Sequence, residues 1–175
     1  MAVLALAGLA MVAGVGAAGA ATPAGGAIRV FATVGDGING KIVIAGAIGD
    51  YGKTFTMDKN GKGDSNGNFV KITLKKGTFV IDSTELNKKT NAARPSIISN
   101  TTCSFAFSGT GPVTLSQGTG AYAGISGTVS ITLDFGGVGP VYKSGPKKGR
   151  CNMSNTAPLV AQSGYILGKG DVRFG

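Results

Sequence analysis

Two runs of strict alternation, residues 112–117 and 128–135, flank a connection that holds four glycines and one tyrosine: Gly118, Gly120, Gly124, Gly127 and Tyr122. Before it, Val113 and Leu115 alternate with Thr114 and Ser116. After it, Val129, Ile131, Leu133 and Phe135 alternate with Ser130, Thr132 and Asp134. A period of two marks a strand with one buried face. Glycines permit a tight, irregular connection where side chains would clash or φ must be positive. The segment therefore predicts a kinked β-hairpin. Strand-like runs recur over residues 27–34, 41–49, 68–74, 77–82, 102–108 and 163–174. Glycine fills 31 of 175 positions, against a usual ~7%. Each glycine inside a helix costs about 1 kcal/mol relative to alanine, so long helices are disfavoured. The reading is one all-β domain, residues 21–175: a closed or nearly closed antiparallel β-barrel of about eight strands with one short helix.

Several local expectations follow. Ile42, Ile44 and Ile48 alternate with Val43, Ala45 and Ala47, so both faces of that strand are apolar and it is expected to be central. Gly109-Thr110-Gly111 is expected to turn the chain, and Gly168–Gly170 to interrupt the last strand. Asp82 followed three places later by Glu85 is a capping box, predicting a helix over 83–90 that crosses a barrel mouth or lies on the barrel's side.

Residues 1–21 carry no charge, and the run through Leu4, Leu6, Leu9, Met11, Val12 and Val15 dissolves into small residues ending Ala18-Gly19-Ala20. This pattern reads as a secretory signal peptide, residues 1–20, and so as a secreted, extracellular protein. A retained membrane anchor is the competing reading, because no Lys or Arg precedes the apolar run. The two cysteines, Cys103 and Cys151, both follow this segment. An even count in an oxidising compartment predicts one disulfide.

The net charge is +9, and residues 1–20 contribute none of it. Such a surface attracts anionic polymers or lipid head groups, or simply aids solubility. The densest cluster is Lys143, Lys147, Lys148 and Arg150, in a Gly-Pro-punctuated loop with Tyr142 as its one aromatic. The plain reading of such a charge run is a solvated loop; the sharper one is a contact with an anionic extracellular polymer, and nucleic acid, which prefers interleaved aromatics, is not favoured. A membrane contact is expected only through an uncleaved signal segment.

Catalytic chemistry is narrowed by elimination. Histidine is absent, which removes Ser-His-Asp and Cys-His catalysis and histidine metal sites. Gly35-x-Gly37-x-x-Gly40 has the spacing of a dinucleotide fingerprint, but a strand follows it where a helix is required. Asp58, Asn60, Asp64, Asn66 and Asn68 resemble a calcium loop, yet Lys62 and Phe69 occupy places that need oxygen ligands. A solvated hairpin tip is expected there. No cofactor and no metal are predicted. Of eight carboxylates, Asp50 and Asp134 alone lie in or beside strands as cavity candidates, and Asp134 alternates away from the apolar set. Asp50 with Tyr51, and Tyr122, are the candidate ligand-binding residues. The plainer reading of Asp50 is a turn residue bonding backbone amides. Asn100 and Asn152 begin N-glycosylation sequons.

The phrase 115–127, Leu-Ser-Gln-Gly-Thr-Gly-Ala-Tyr-Ala-Gly-Ile-Ser-Gly, resembles a glycine-rich stretch of the allene oxide cyclase-like and dirigent-like β-barrels. With residues 45–52, Ala-Gly-Ala-Ile-Gly-Asp-Tyr-Gly, it is also similar to small secreted actinobacterial proteins of uncharacterised function. The resemblance implies a barrel cavity for an apolar, oxygenated substrate, with Gly118, Gly120, Gly124 and Gly127 as structural residues and Tyr122 at the aromatic place. It places no catalytic residue. The expected function is a secreted, disulfide-stabilised barrel with a non-catalytic binding or structural role. The alternatives are a cyclase- or dirigent-like barrel acting on a small apolar ligand, and a cationic protein binding extracellular polyanions.

Overall fold

The computed structural model describes residues 25–92, 97–152, 154 and 157–175, so the expected signal peptide lies outside the described residues. The elements in order are β1 (Gly26–Val34), β2 (Asn39–Gly46), β3 (Asp50–Met57), β4 (Phe69–Leu74), β5 (Thr78–Asp82), α1 (Thr84–Ala92), β6 (Ile97–Ser99), β7 (Ser104–Ser116), β8 (Ser126–Val138) and β9 (Ala161–Arg173). Strand neighbours run β5-β4-β3-β2-β1-β9-β8-β7, and β5 pairs back onto β7. Each pairing is antiparallel, and the result is a closed eight-stranded barrel.

Closure rests on a short seam: Val80↔Ser116, Ile81↔Leu115 and Asp82↔Thr114. β7 is 13 residues long and β5 only five. At the other end of that edge of β7 lies β6, paired from Ile97↔Ala106 to Ser99↔Ser104. Strands β7, β8 and β9 therefore extend past the barrel as a three-stranded flap, on which Phe107 and Phe135 stack at 5.5 Å.

Alternation decides what fills the lumen. Ile28, Val30 and Ala32 of β1, Ile42 and Ile44 of β2, Ile72 and Leu74 of β4, Val113 and Leu115 of β7, and Val129 and Ile131 of β8 are all buried in one cluster. An eight-stranded barrel is just wide enough for such side chains to fill it. The predicted hairpin is present, with Val113 opposite Val129 and Leu115 opposite Gly127.

Three expectations about the strands are corrected. Gly109-Thr110-Gly111 is not a turn but part of continuous β7, whose inward glycines leave room for α1: a Cβ on Gly111 would lie 2.8 Å from Leu86 Cα. Gly168–Gly170 does not break β9; it runs unbroken beside β1 and β8. β2 is not buried on both faces, since Val43 is 52% exposed. Closing the sheet abolishes edges without covering the outside, so two apolar faces do not prove two buried ones. Cys151 makes an isolated bridge with Val141.

α1 crosses the mouth. Ser83 O accepts the first helical bond from Asn87 N–H, and Asp82 Oδ1 accepts from Thr84 N–H at 2.9 Å. Glu85, expected to complete a capping box, pairs instead with Lys88 at 2.7 Å. Leu86 is the helix's buried anchor.

The Cys103–Cys151 disulfide is present, with Cα atoms 5.2 Å apart and a sequence separation of 48. In the chain-entropy model a loop of that size is stabilised by about 4 kcal/mol. Replacing both cysteines by serine should lower the unfolding free energy measured in urea by up to that amount while leaving the far-ultraviolet β spectrum unchanged, because the bridge lies outside the barrel seam.

Candidate functional site

The barrel has two differently closed ends. At the floor, the connection between β7 and β8 folds inward as one 3-10 turn, Gly120–Tyr122, and places Tyr122 fully inside. Gly120 makes this possible: its φ is +60°, and a Cβ there would stand 2.5 Å from Lys76 O. Ala121 N–H donates to Lys76 O at 2.9 Å, and Thr78 N–H donates to Thr119 Oγ1 at 3.1 Å. The Tyr122 ring meets Phe79 edge-on at 5.7 Å and Phe174 at 6.4 Å.

Asp50, the first residue of β3, points to the same place and is buried. Its Oδ2 accepts from Tyr122 O–H at 2.5 Å and from Lys76 N–H at 3.0 Å; its Oδ1 accepts from Tyr51 N–H at 2.7 Å. Burial works against the charged carboxylate, but the Tyr122 hydroxyl and the Tyr51 and Lys76 amides outweigh it, so its pKa lies below the ordinary 3.8. Tyr122 is pushed well above its ordinary value by burial, reinforced by the bond to Asp50 and its charge. Near neutral pH the pair is a fixed carboxylate and a fixed phenol. Neither changes its protonation state there, and the arrangement is a structural lock.

At the mouth, beside α1, is a cavity of about 200 Å³. Val34, Val70, Leu86, Ile131, Leu133 and Ile166 give it apolar walls, and Thr54, Thr56, Ser65, Ser83, Asn39 and Asn87 give it neutral polar groups. Ser83 Oγ donates to Asn68 O at 2.8 Å, and Asn87 Nδ2 to Asn68 Oδ1 at 2.8 Å. Among the described residues, no ionisable side chain lines it.

The structure thus joins two of the three candidate ligand residues, Asp50 and Tyr122, across 72 positions of sequence, and separates the third. Tyr51 faces outward, 57% exposed, with Lys75 Nζ 5.4 Å from its ring centre. Asp134 is exposed on β8. Of the dinucleotide-like glycines, Gly35 and Gly37 lie in the β1–β2 turn and Gly40 in β2; in that turn Asp36 Oδ1 accepts from Ile38 and Asn39 N–H. In the calcium-like stretch, Asp58 Oδ1 accepts from Asn60 and Lys62 N–H, and Asp64 Oδ1 from Asn66 N–H. Lys143, Lys147, Lys148 and Arg150 are exposed on a tight loop closed by Tyr142 N–H to Arg150 O at 2.9 Å and by the disulfide at Cys151. The mouth residues Thr54, Thr56, Ser83 and Asn87 were missed by sequence reasoning. Thr54 and Thr56 do alternate with Phe55, but nothing local says which face looks inward.

Fold and fillings together define a disulfide-stapled β-barrel with an apolar lumen, a locked floor and a helix-capped mouth. No family model, curated protein or solved structure matches the chain.

Tyr122→Phe should destabilise the fold by about 1.5–3 kcal/mol, the usual worth of a hydrogen bond to a charged group, read by urea denaturation at pH 7. Asp50 is held below its unfolded pKa, so its contribution is complete above about pH 4 and fades as pH falls through the native value. Asp36 and Asp58 are also lowered, and the informative quantity is therefore the difference: Asp50→Asn should lose stability at pH 7 and show a shallower acid decline than the parent. Tyr122 acts at the other limb, where its raised pKa makes stability fall as pH rises above about 10.

Proposed function

We propose that this is an exported barrel that works by binding, without turnover, and that meets its ligands on the outer surface. The observation that carries this is the state of the interior. The lumen is filled by isoleucine, valine and leucine side chains, and the buried carboxylate is fully engaged by Tyr122 and two amides. Acid–base or nucleophilic catalysis needs a group within reach of a substrate and poised to exchange a proton. Among the described residues, the uncharged lining of the mouth cavity offers none.

The surface favoured for binding is the basic loop. Lys143, Lys147, Lys148 and Arg150 are exposed, and the one ion pair among the described residues is Lys88–Glu85, elsewhere in the fold. The disulfide and the turn hold these cations together, which suits an anionic extracellular polymer. On heparin-agarose, replacing all four by serine should move elution to clearly lower salt; unchanged elution would count against the loop.

A second reading follows from the likeness to cyclase- and dirigent-like barrels: a small, neutral, oxygenated ligand in the mouth, held by Thr54, Thr56 and Asn87. Its weakness is size, since about 200 Å³ is below the roughly 300–1,000 Å³ of drug-sized sites. Thermal denaturation with a phenylpropanoid alcohol and with an epoxy fatty acid should show no saturable rise in Tm. A saturable rise that Leu133→Trp abolishes would favour the cavity and overturn the surface reading.

A further inference from the structure

We infer that the outer face of β9, β1, β2 and β3 is a docking surface for an anionic lipid bilayer. The strand register lines up Leu167, Phe31, Val43 and Tyr51 as successive neighbours: Phe31↔Leu167, Phe31↔Val43 and Val43↔Tyr51. All four point outward, 47–57% exposed. Tyr165, 62% exposed, stands beside the ladder on β9. Singly exposed apolar residues are ordinary, but a contiguous row marks a contact surface.

Cations frame this row. On one side Lys41 and Lys53 are paired neighbours; on the other, Arg29 and Lys169 are. Lys75 sits over Tyr51 at the end. The outward positions of β1, β2 and β3 contain no carboxylate. β9 carries one carboxylate, Asp171, opposite Ala27 and one outward step beyond Lys169, and on β8 Asp134 stands opposite Tyr165; both lie at the ends of the row.

Charge and area choose the occupant. A second copy would set these cations against their equivalents. Strand spacings of ~4.8 Å and ~3.3 Å per residue give the patch a few hundred Å² at most, well short of the ~800 Å² per partner of a stable protein interface. A soluble polyanion would satisfy the lysines and leave the apolar row wet. A bilayer with acidic head groups takes both, receiving the apolar row at the acyl boundary and the cations at the phosphates. The inference concerns a surface separate from the basic loop and departs from the expectation of membrane contact through the N-terminal segment alone.

The chain has no tryptophan, so Phe31→Trp provides a single reporter at the ladder, whatever residues 1–24 do. With vesicles of phosphatidylcholine and 30% phosphatidylglycerol, its emission should move to the blue and be quenched by lipids brominated in their acyl chains. A Thr114→Trp control, on the exposed outer side of β7, should not respond. Adding Lys41→Ser, Lys53→Ser and Lys169→Ser should weaken partitioning about fivefold per cation, on the order of a hundredfold in all. Replacing the four loop cations by serine should leave the ladder signal in place, which separates this test from that of the loop. Equal quenching at positions 31 and 114, or an equal response on pure phosphatidylcholine, would overturn the proposal. So would lipid-independent shielding of position 31 that grows with protein concentration, which would assign the face to a second copy.

Discussion

The fold depends on closing one sheet through the three-residue seam between β5 and β7. Without it, β5 and the C-terminal end of β7 would be open edges, and the apolar faces of eight strands would have no common interior. Closure satisfies the backbone groups and creates the lumen in one step. The floor lock stands next to this seam. Tyr122 lies on the connection leaving β7, while Lys76, whose amide and carbonyl engage Asp50 and Ala121, lies on the connection entering β5. One buried carboxylate thus ties together the three connections that must come close for the barrel to shut.

Glycine serves this geometry in two ways. At Gly120 it supplies a backbone conformation. At Gly111 it supplies the absence of a side chain, so that α1 can rest directly on β7. The helix would otherwise have no apolar bed at the mouth, since Leu86 is its buried residue.

The surface follows from how the acids are used. Asp36, Asp58 and Asp64 cap turns, Asp82 caps α1, Asp50 is the floor, and Glu85 pairs with Lys88. Few carboxylates remain to neutralise 17 basic residues. The cations are therefore left on the outside, gathered on the disulfide-tied loop and around the apolar ladder.

Period-two alternation gave away the strands, because a buried face leaves that imprint whatever lies beyond it. Alongside the cap at Asp82, which marked the helix start, it also showed the β7–β8 hairpin. It misread Gly109–Gly111 and Gly168–Gly170, because a glycine that makes room inside a barrel looks, along the chain, like a glycine that turns it. Asp50 and Tyr122 were each visible as candidates, but their bond was not, since it crosses 72 positions. The row Leu167, Phe31, Val43 and Tyr51 was not visible either: its members sit on four strands, and register between strands is a property of pairing. The sequence alone determined which segments are extended, that helices are short, and which charges are available. Only the tertiary structure decided which apolar face went inward and which residues became neighbours, because sheet closure fixes both at once and no local stretch of chain contains that information.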